Sequence, residues 1–214
     1  QLFISGMNSA LTPWMYSKIK KGDIRSMRKV LQLLSVVVVG IAVALMLISP
    51  ELVLIFGSPK YREAVYVIPP VAASVFFIFI YNILSMPQFY YEKTQFLMAA
   101  SMAAAGANVV LNFIFIRLFG YIAAGYTTLA CYMLYSVGHY IVSKQILVNE
   151  GIQENLMNPG FLLACSVFLI GASIICNLIF PYRILRYAIL LASAGLVFWK
   201  KELLLKTMAD IRKK

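Results

Sequence analysis

Charged side chains divide this chain into long apolar runs. Residues 30–50, 64–91, 94–116, 118–143 and 155–182 carry no Asp, Glu, Lys or Arg. They contain 21, 28, 23, 26 and 28 residues. A hydrocarbon layer of roughly 30 Å needs about 20 helical residues at about 1.5 Å each. Each run is long enough to cross it. Continuous runs of this length argue against barrel strands, which are about half as long and alternate in polarity. A shorter stretch, 187–199, is flanked by Arg183 and Arg186 on one side and Lys200 and Lys201 on the other. Snorkelling of those four side chains, with Tyr187 and Trp199 as interfacial rings, extends it to a sixth span over 183–200.

The pattern predicts an all-α, polytopic membrane helix bundle: six complete transmembrane helices plus the end of a seventh. Residues 1–15 are charge-free and read as the end of a truncated transmembrane helix. Residues 16–29 form a basic cytoplasmic loop. Residues 30–144 hold four spans, at about 30–49, 64–91, 94–116 and 120–143. Residues 145–160 are a second cytoplasmic loop. Residues 161–200 hold two further helices, at about 161–180 and 183–200. Residues 201–214 form an amphipathic cytoplasmic tail, with Leu204, Met208 and Ile211 in one stripe. The remaining connections, 51–62, 92–93, 117–119 and 181–183, are short and favour antiparallel neighbours. Asp23 is placed to cap the helix that becomes the first complete span. Pro69, Pro70 and Pro87 are expected to interrupt and bend the second.

Composition narrows the class further. Of 214 residues, 62% are hydrophobic and 13% charged, against about a quarter charged in soluble domains. A soluble enzyme, a disulfide scaffold and a disordered tail are all excluded. The net charge of +11 sits in clusters between apolar runs. It reads as topology signal and lipid-headgroup contact, and nucleic acid is not expected as a partner. With six spans, fourteen of the nineteen basic residues fall on one side and five on the other. That side is expected to be cytoplasmic. Cys131, Cys165 and Cys176 lie in apolar runs without metal-ligand spacing, so neither zinc nor a disulfide framework is expected.

Candidate chemistry is sparse. No nucleophile elbow, zinc-protease, P-loop or dinucleotide motif is present in the sequence. All eight acids lie in loops, tails or at span ends, and His139 is the single histidine. No enzyme, cofactor or metal is expected.

The spans do contain uncharged polar residues at helical spacing. Tyr121, Gly125, Thr128, Tyr132, Tyr135 and His139 recur at steps of four and three, which makes one face. Ser74, Tyr81, Ser85 and Gln88 do the same in the second complete span, and Ser101, Asn108 and Asn112 in the third. Such faces line either a wet path or a helix–helix seam. The substrate-path candidates are Thr128, Tyr132, Tyr135, His139, Asn108, Asn112, Tyr81, Ser85, Gln88 and Arg117. The small residues from Ala99 to Ala107 permit close approach of another helix.

Several motifs occur in a telling order. Pro13 precedes the basic Gly22–Asp23 loop. A long span ends in Ile55-Phe56-Gly57, followed by Tyr61 and a proline-bearing span. Asn108-Val109-Val110-Leu111-Asn112-Phe113, Leu118-Phe119-Gly120 and Ile122-Ala123-Ala124-Gly125-Tyr126-Thr127-Thr128 follow. Over roughly residues 5–200 this resembles the C-terminal part of Wzx-like polysaccharide flippases, exporters of O-antigen, capsule and teichoic acid units. Their superfamily also holds MATE antiporters and the lipid II flippase. Arg117, where such proteins often have proline, and Gly125, where alanine is usual, depart from the pattern.

The resemblance implies a two-lobed bundle around a central cavity, of which this chain supplies the C-terminal lobe and two extra helices. It implies translocation of undecaprenyl-diphosphate-linked oligosaccharide for surface polysaccharide biosynthesis. The implied partners are the lipid bilayer, the lipid-linked oligosaccharide and a missing N-terminal lobe. The implied location is a bacterial or archaeal cytoplasmic (inner) membrane. A MATE-type cation-coupled multidrug antiporter is the alternative, and it needs an embedded acid. A non-transporting membrane scaffold is a second.

Overall fold

The computed structural model describes residues 2–199, and every regular element among them is helical. Eight α-helices follow in order: α1 (Leu2–Lys20), α2 (Ile24–Leu47), α3 (Ser49–Phe56), α4 (Ile68–Tyr90), α5 (Gln95–Phe119), α6 (Ala123–Asn149), α7 (Pro159–Ile179) and α8 (Arg183–Trp199). A 3₁₀ segment, Pro59–Tyr66, joins α3 to α4. The amphipathic tail at 201–214 lies outside the described residues.

Among the described residues, four helical stretches are long and apolar enough to cross a membrane: Ile24–Leu47, Arg62–Tyr90, Gln95–Phe119 and Pro159–Ile179. The bundle is compatible with a multi-pass membrane protein. The described part of α8, Arg183–Trp199, has 17 residues.

The basic stretch 16–29 is mostly helical, where a loop was expected. Apolar and basic helix formers carry α1 on to Lys20, with Lys18 and Lys20 in its last turn, where positive charge suits the helix dipole. Only residues 21–23 separate it from α2. Gly22 takes φ +66°, a conformation open to glycine. The Asp23 carboxylate accepts from the Ser26 amide at 3.3 Å and from the Lys18 ammonium, which caps α2 as the sequence predicts.

In α2 the residues Ile24, Met27, Leu31, Ser35, Val38, Ala42 and Met46 are buried, at steps of three and four. This stripe packs on α4, which is also in contact with α1, α6 and α7. Phe76, Phe79, Ile80, Ile83 and Leu84 of α4 are closed off from solvent at the centre of the core. The prolines of α4 do not break it. Pro69 and Pro70 occupy its first turn, where a missing amide costs nothing. Pro87 lies one turn before its end, and the helix runs through it.

Other boundaries shift for local reasons. After Leu47 the helix breaks at Ile48, and the chain resumes with Pro50 in the first turn of α3, which runs into the expected 51–62 connection. The helix α6 continues to Asn149, six residues past its expected end. It stops where Gly151 adopts φ +80° and the Ile152 amide returns to the Leu147 carbonyl at 2.8 Å. The second basic-end loop is therefore short. It is pinned by Arg28, whose Nε donates to the Asn155 carbonyl at 2.7 Å and whose Nη2 meets Glu154 at 3.2 Å. Leu156 and Met157 plug the core beneath it.

Arg186 does not snorkel outward. It is 2% exposed and donates to the Leu47 carbonyl and to both Glu51 oxygens, which ties α8 to the kink between α2 and α3. By contrast α5 packs on α6 alone among its substantial contacts, and none of its residues is buried.

Candidate functional site: a polar and aromatic seam between α4, α5 and α6

The polar faces of α4 and α6 meet. Tyr81 of α4 stacks on Tyr132 of α6 with ring centres 6.2 Å apart and planes 6° from parallel. It also meets the Tyr135 ring at 4.7 Å and the His139 ring at 5.8 Å. Tyr135 and His139, one turn apart, form an edge-to-face pair at 4.5 Å. Phe96 of α5 presents another edge-to-face contact to His139 at 5.4 Å. Such ring pairs add about 1 kcal/mol each beyond their area. Gln88, in the last turn of α4, reaches the His139 Nδ1 through its amide nitrogen at 2.8 Å. Tyr135 and Ser101 of α5 share a 2.7 Å hydroxyl contact.

The seam has a dry end and an open end. Gln88 and His139 are fully buried. Tyr132 and Tyr135 are half-buried, and Ser101 is exposed. So the phenol groups stand where a ligand could reach them, and the imidazole does not.

A second polar node lies further along α5. Thr127 donates to the Asn112 Oδ1 at 2.6 Å, and the Asn112 Nδ2 donates to the Asn108 Oδ1 at 2.9 Å. Here Thr127, not Thr128, makes the cross-helix bond. Thr128 is half-buried beside it. The two nodes hold α5 to α6 along one line.

The remaining candidates make other contacts. Ser85 is buried and donates to the Asn82 carbonyl of its own helix at 2.8 Å. Arg117 is exposed at the end of α5, with its guanidinium 3.8 Å from the centre of the Phe113 ring. Gly125 does not join the tyrosine row. It packs against the start of α4, where an added Cβ would lie 2.8 Å from the Pro70 Cγ and 2.9 Å from the Val67 carbonyl oxygen. Tyr121 donates to Glu63 at 3.0 Å, outside the seam.

Some polar partners escaped the sequence reading. Ser143 follows His139 by one turn and is buried, yet its place beside a lysine hid it. Asn177 of α7 donates to the Tyr126 hydroxyl at 3.0 Å, a pairing between helices that periodicity within one helix cannot reveal. The Arg186–Glu51 pair spans 135 positions, and each residue alone looked like a solvated span end.

Behind the seam, on the other side of α6, an apolar cleft of about 270 Å³ opens between α4, α6 and α7. Phe77, Ile80, Met133, Tyr140 and Leu162 line it. Met133 therefore faces a different space from Tyr132 and Tyr135.

No family model, curated protein or solved structure matches this chain.

Proposed function

We propose that this chain is the C-terminal part of a membrane flippase that moves undecaprenyl-diphosphate-linked oligosaccharide during surface polysaccharide biosynthesis. On this reading α2, α4, α5, α6, α7 and α8 are its six complete spans, and α1 is the end of a seventh. The protein sits in the cytoplasmic membrane with its basic loops inside. The bilayer surrounds it, and an N-terminal lobe supplies the other wall of the cavity.

The observation that carries the reading is the tyrosine row at the open end of the seam. Tyr132 and Tyr135 gain nothing by facing lipid, and they are not closed off by the core. Tyrosine rings cover the apolar faces of sugars, and their hydroxyls reach sugar hydroxyls. The motif order around Asn108–Phe113 and Leu118–Gly120 supports the same reading. A MATE-type antiporter would need an acid within a span; the acids among the described residues, Asp23, Glu51, Glu63, Glu92, Glu150 and Glu154, lie at helix ends or between the long helices.

Single cysteines in the full-length protein test the row. Tyr132→Cys and Tyr135→Cys should react with small aqueous thiol reagents at least about tenfold faster than Met133→Cys and Ile141→Cys, since only a hydrated thiol ionises readily. Lipid-linked substrate should slow the first pair and leave the second unchanged. Equal rates would make the seam a packing feature and remove the proposed path.

A further inference from the structure

The charges at the basic end of the bundle are unevenly settled. Among the described residues, three of its acids already hold a cation: Asp23 pairs with Lys18, Glu150 with Lys93 and Glu154 with Arg28. Glu92 lies in the turn from α4 to α5, and α5 has no substantial contact with α2. Lys20, Lys21, Arg25 and Lys29 are exposed, and no ion pair among the described residues engages them.

Two of these four stand on a defined face. Arg25 and Lys29 are one turn apart on α2, on the side opposite the buried stripe that runs from Ile24 to Met46. The same side continues through Val36 and Gly40, at further steps of seven and four. Val36 is 53% exposed, and a Cβ at Gly40 would meet nothing within 4 Å. One outward strip of α2 therefore begins with two cations and goes on as open, low apolar surface. Lys29 immediately precedes the charge-free run 30–50, which puts it where hydrocarbon gives way to headgroups. Gly40 lies further along the helix by roughly 16 Å, at about 1.5 Å per residue. That is close to the middle of a hydrocarbon layer of roughly 30 Å. The strip matches the reach of one acyl chain, with the cations at the level of its phosphate.

We propose that Arg25 and Lys29 hold the phosphate of one anionic glycerophospholipid, whose acyl chain lies along Val36 and Gly40. A zwitterionic lipid brings its own ammonium beside its phosphate and gains less from two unpaired cations. A soluble anion would meet the cations and gain nothing from Val36 and Gly40. Lys21, exposed in the turn that leads into α2, adds to the positive field. Arg28 of the same helix is turned to Glu154 and the Asn155 carbonyl and takes no part. The site requires only that α2 cross the membrane, and it does not rest on the flippase reading.

Brominated-lipid quenching tests it in the full-length protein, with Val36→Trp in an otherwise tryptophan-free background. The protein is reconstituted in phosphatidylcholine vesicles that hold a minor share of brominated-chain phosphatidylglycerol, or the same share of brominated-chain phosphatidylcholine. The anionic lipid should quench Val36→Trp fluorescence at least about threefold more strongly than the zwitterionic one. Arg25→Gln with Lys29→Gln should bring the two lipids level, and Arg25→Lys with Lys29→Arg should keep the preference. Quenching by brominated phosphatidylcholine checks in every variant that α2 is still in the membrane. Lys144→Gln removes an exposed cation from α6, which has no substantial contact with α2, and should change nothing. Equal quenching by the two lipids before any charge is removed would overturn the proposal, as would a preference that survives the double glutamine variant. An equal loss in Lys144→Gln would reduce the effect to net charge, and full displacement by inorganic phosphate would make the strip a soluble-anion site; either result overturns it too.

Discussion

Arg186 grips both carboxylate oxygens of Glu51 at 2.8 Å each. With its Nη1 it also reaches the Leu47 carbonyl at 2.7 Å. Tyr187 adds a third bond to the same carboxylate at 2.9 Å. The Arg186 hydrogen bonds, with lesser help from Tyr187 and against the opposing effect of burial, bring the Glu51 carboxyl from an ordinary 4.5 down to about 2.

That shift sets a pH dependence. A carboxyl with a lowered folded-state pKa stabilises the fold above its unfolded pKa, and the contribution disappears as pH falls through the folded one. Stability should therefore be flat above about pH 5 and fall between about 4.5 and 2. The Glu51 side chain is 26% exposed, so solvent screening reduces the effect to about 2 kcal/mol. Thermal unfolding in detergent across that range measures it. Glu51→Gln should lower the neutral-pH Tm and remove most of the acid-dependent loss. An unchanged acid limb would assign the loss to other groups.

Gly125→Ala tests the contact between the start of α6 and the start of α4. The added methyl would meet the Pro70 ring and the Val67 carbonyl, both within 3 Å. Neither is the far end of a flexible side chain. We expect a cost of about 1–3 kcal/mol. The equivalent change at Gly171, where a Cβ meets nothing within 4 Å, should cost far less. Comparing the two by unfolding in the same detergent separates packing from helix propensity.

Met157→Ala should be among the more damaging loop substitutions. Met157 is fully buried although it lies between helices. Losing it leaves a cavity beneath the Arg28–Glu154 clasp, at about 2–4 kcal/mol. Glu154→Gln should cost under about 1 kcal/mol, because Glu154 is largely exposed and Arg28 keeps its bond to the Asn155 carbonyl.

Orientation is open to a direct measurement. Ser58 is exposed just before the 3₁₀ segment, and Ser58→Cys should label in intact cells with an impermeant thiol reagent. Ser26 is half-buried and bonded to Lys18 at 3.2 Å. Lys21, exposed in the turn before α2, is the cleaner reporter for the basic side. Lys21→Cys should label only after the cells are opened. The reverse pattern would invert the topology drawn from the fourteen-to-five bias.

How much of this was legible in the residues depends on range. Charge-free runs located α2, α4, α5, α6 and α7, because apolar length is a local property. The Asp23 cap was equally readable, since its partners lie within five positions. Helix ends were less so. A lysine looked like a boundary and a proline like an interruption, yet α1 runs through Lys18 and α4 through Pro87. The tyrosine faces were found by their spacing, but spacing does not say what a face meets. Thr127 rather than Thr128 bonds Asn112, a difference of about 100° around the helix that depends on how α5 and α6 are rotated. Gly125, read from spacing as part of the tyrosine row, instead sits where the Pro70 and Val67 contacts leave no room for a Cβ. The Arg186–Glu51 pair was invisible because it joins distant segments.

The two sides of the bundle differ in stiffness. On one side α4 is surrounded by α1, α2, α6 and α7, and any tilt of α4 would disturb four neighbours at once. On the other, α5 is attached along a single line, through Ser101 to Tyr135 and through Asn112 to Thr127. A rod fastened along one edge swings about that edge like a shutter, at the cost of a few hydrogen bonds and no core. The tyrosines lie beneath that edge, so the angle of α5 fixes the width of the opening above them.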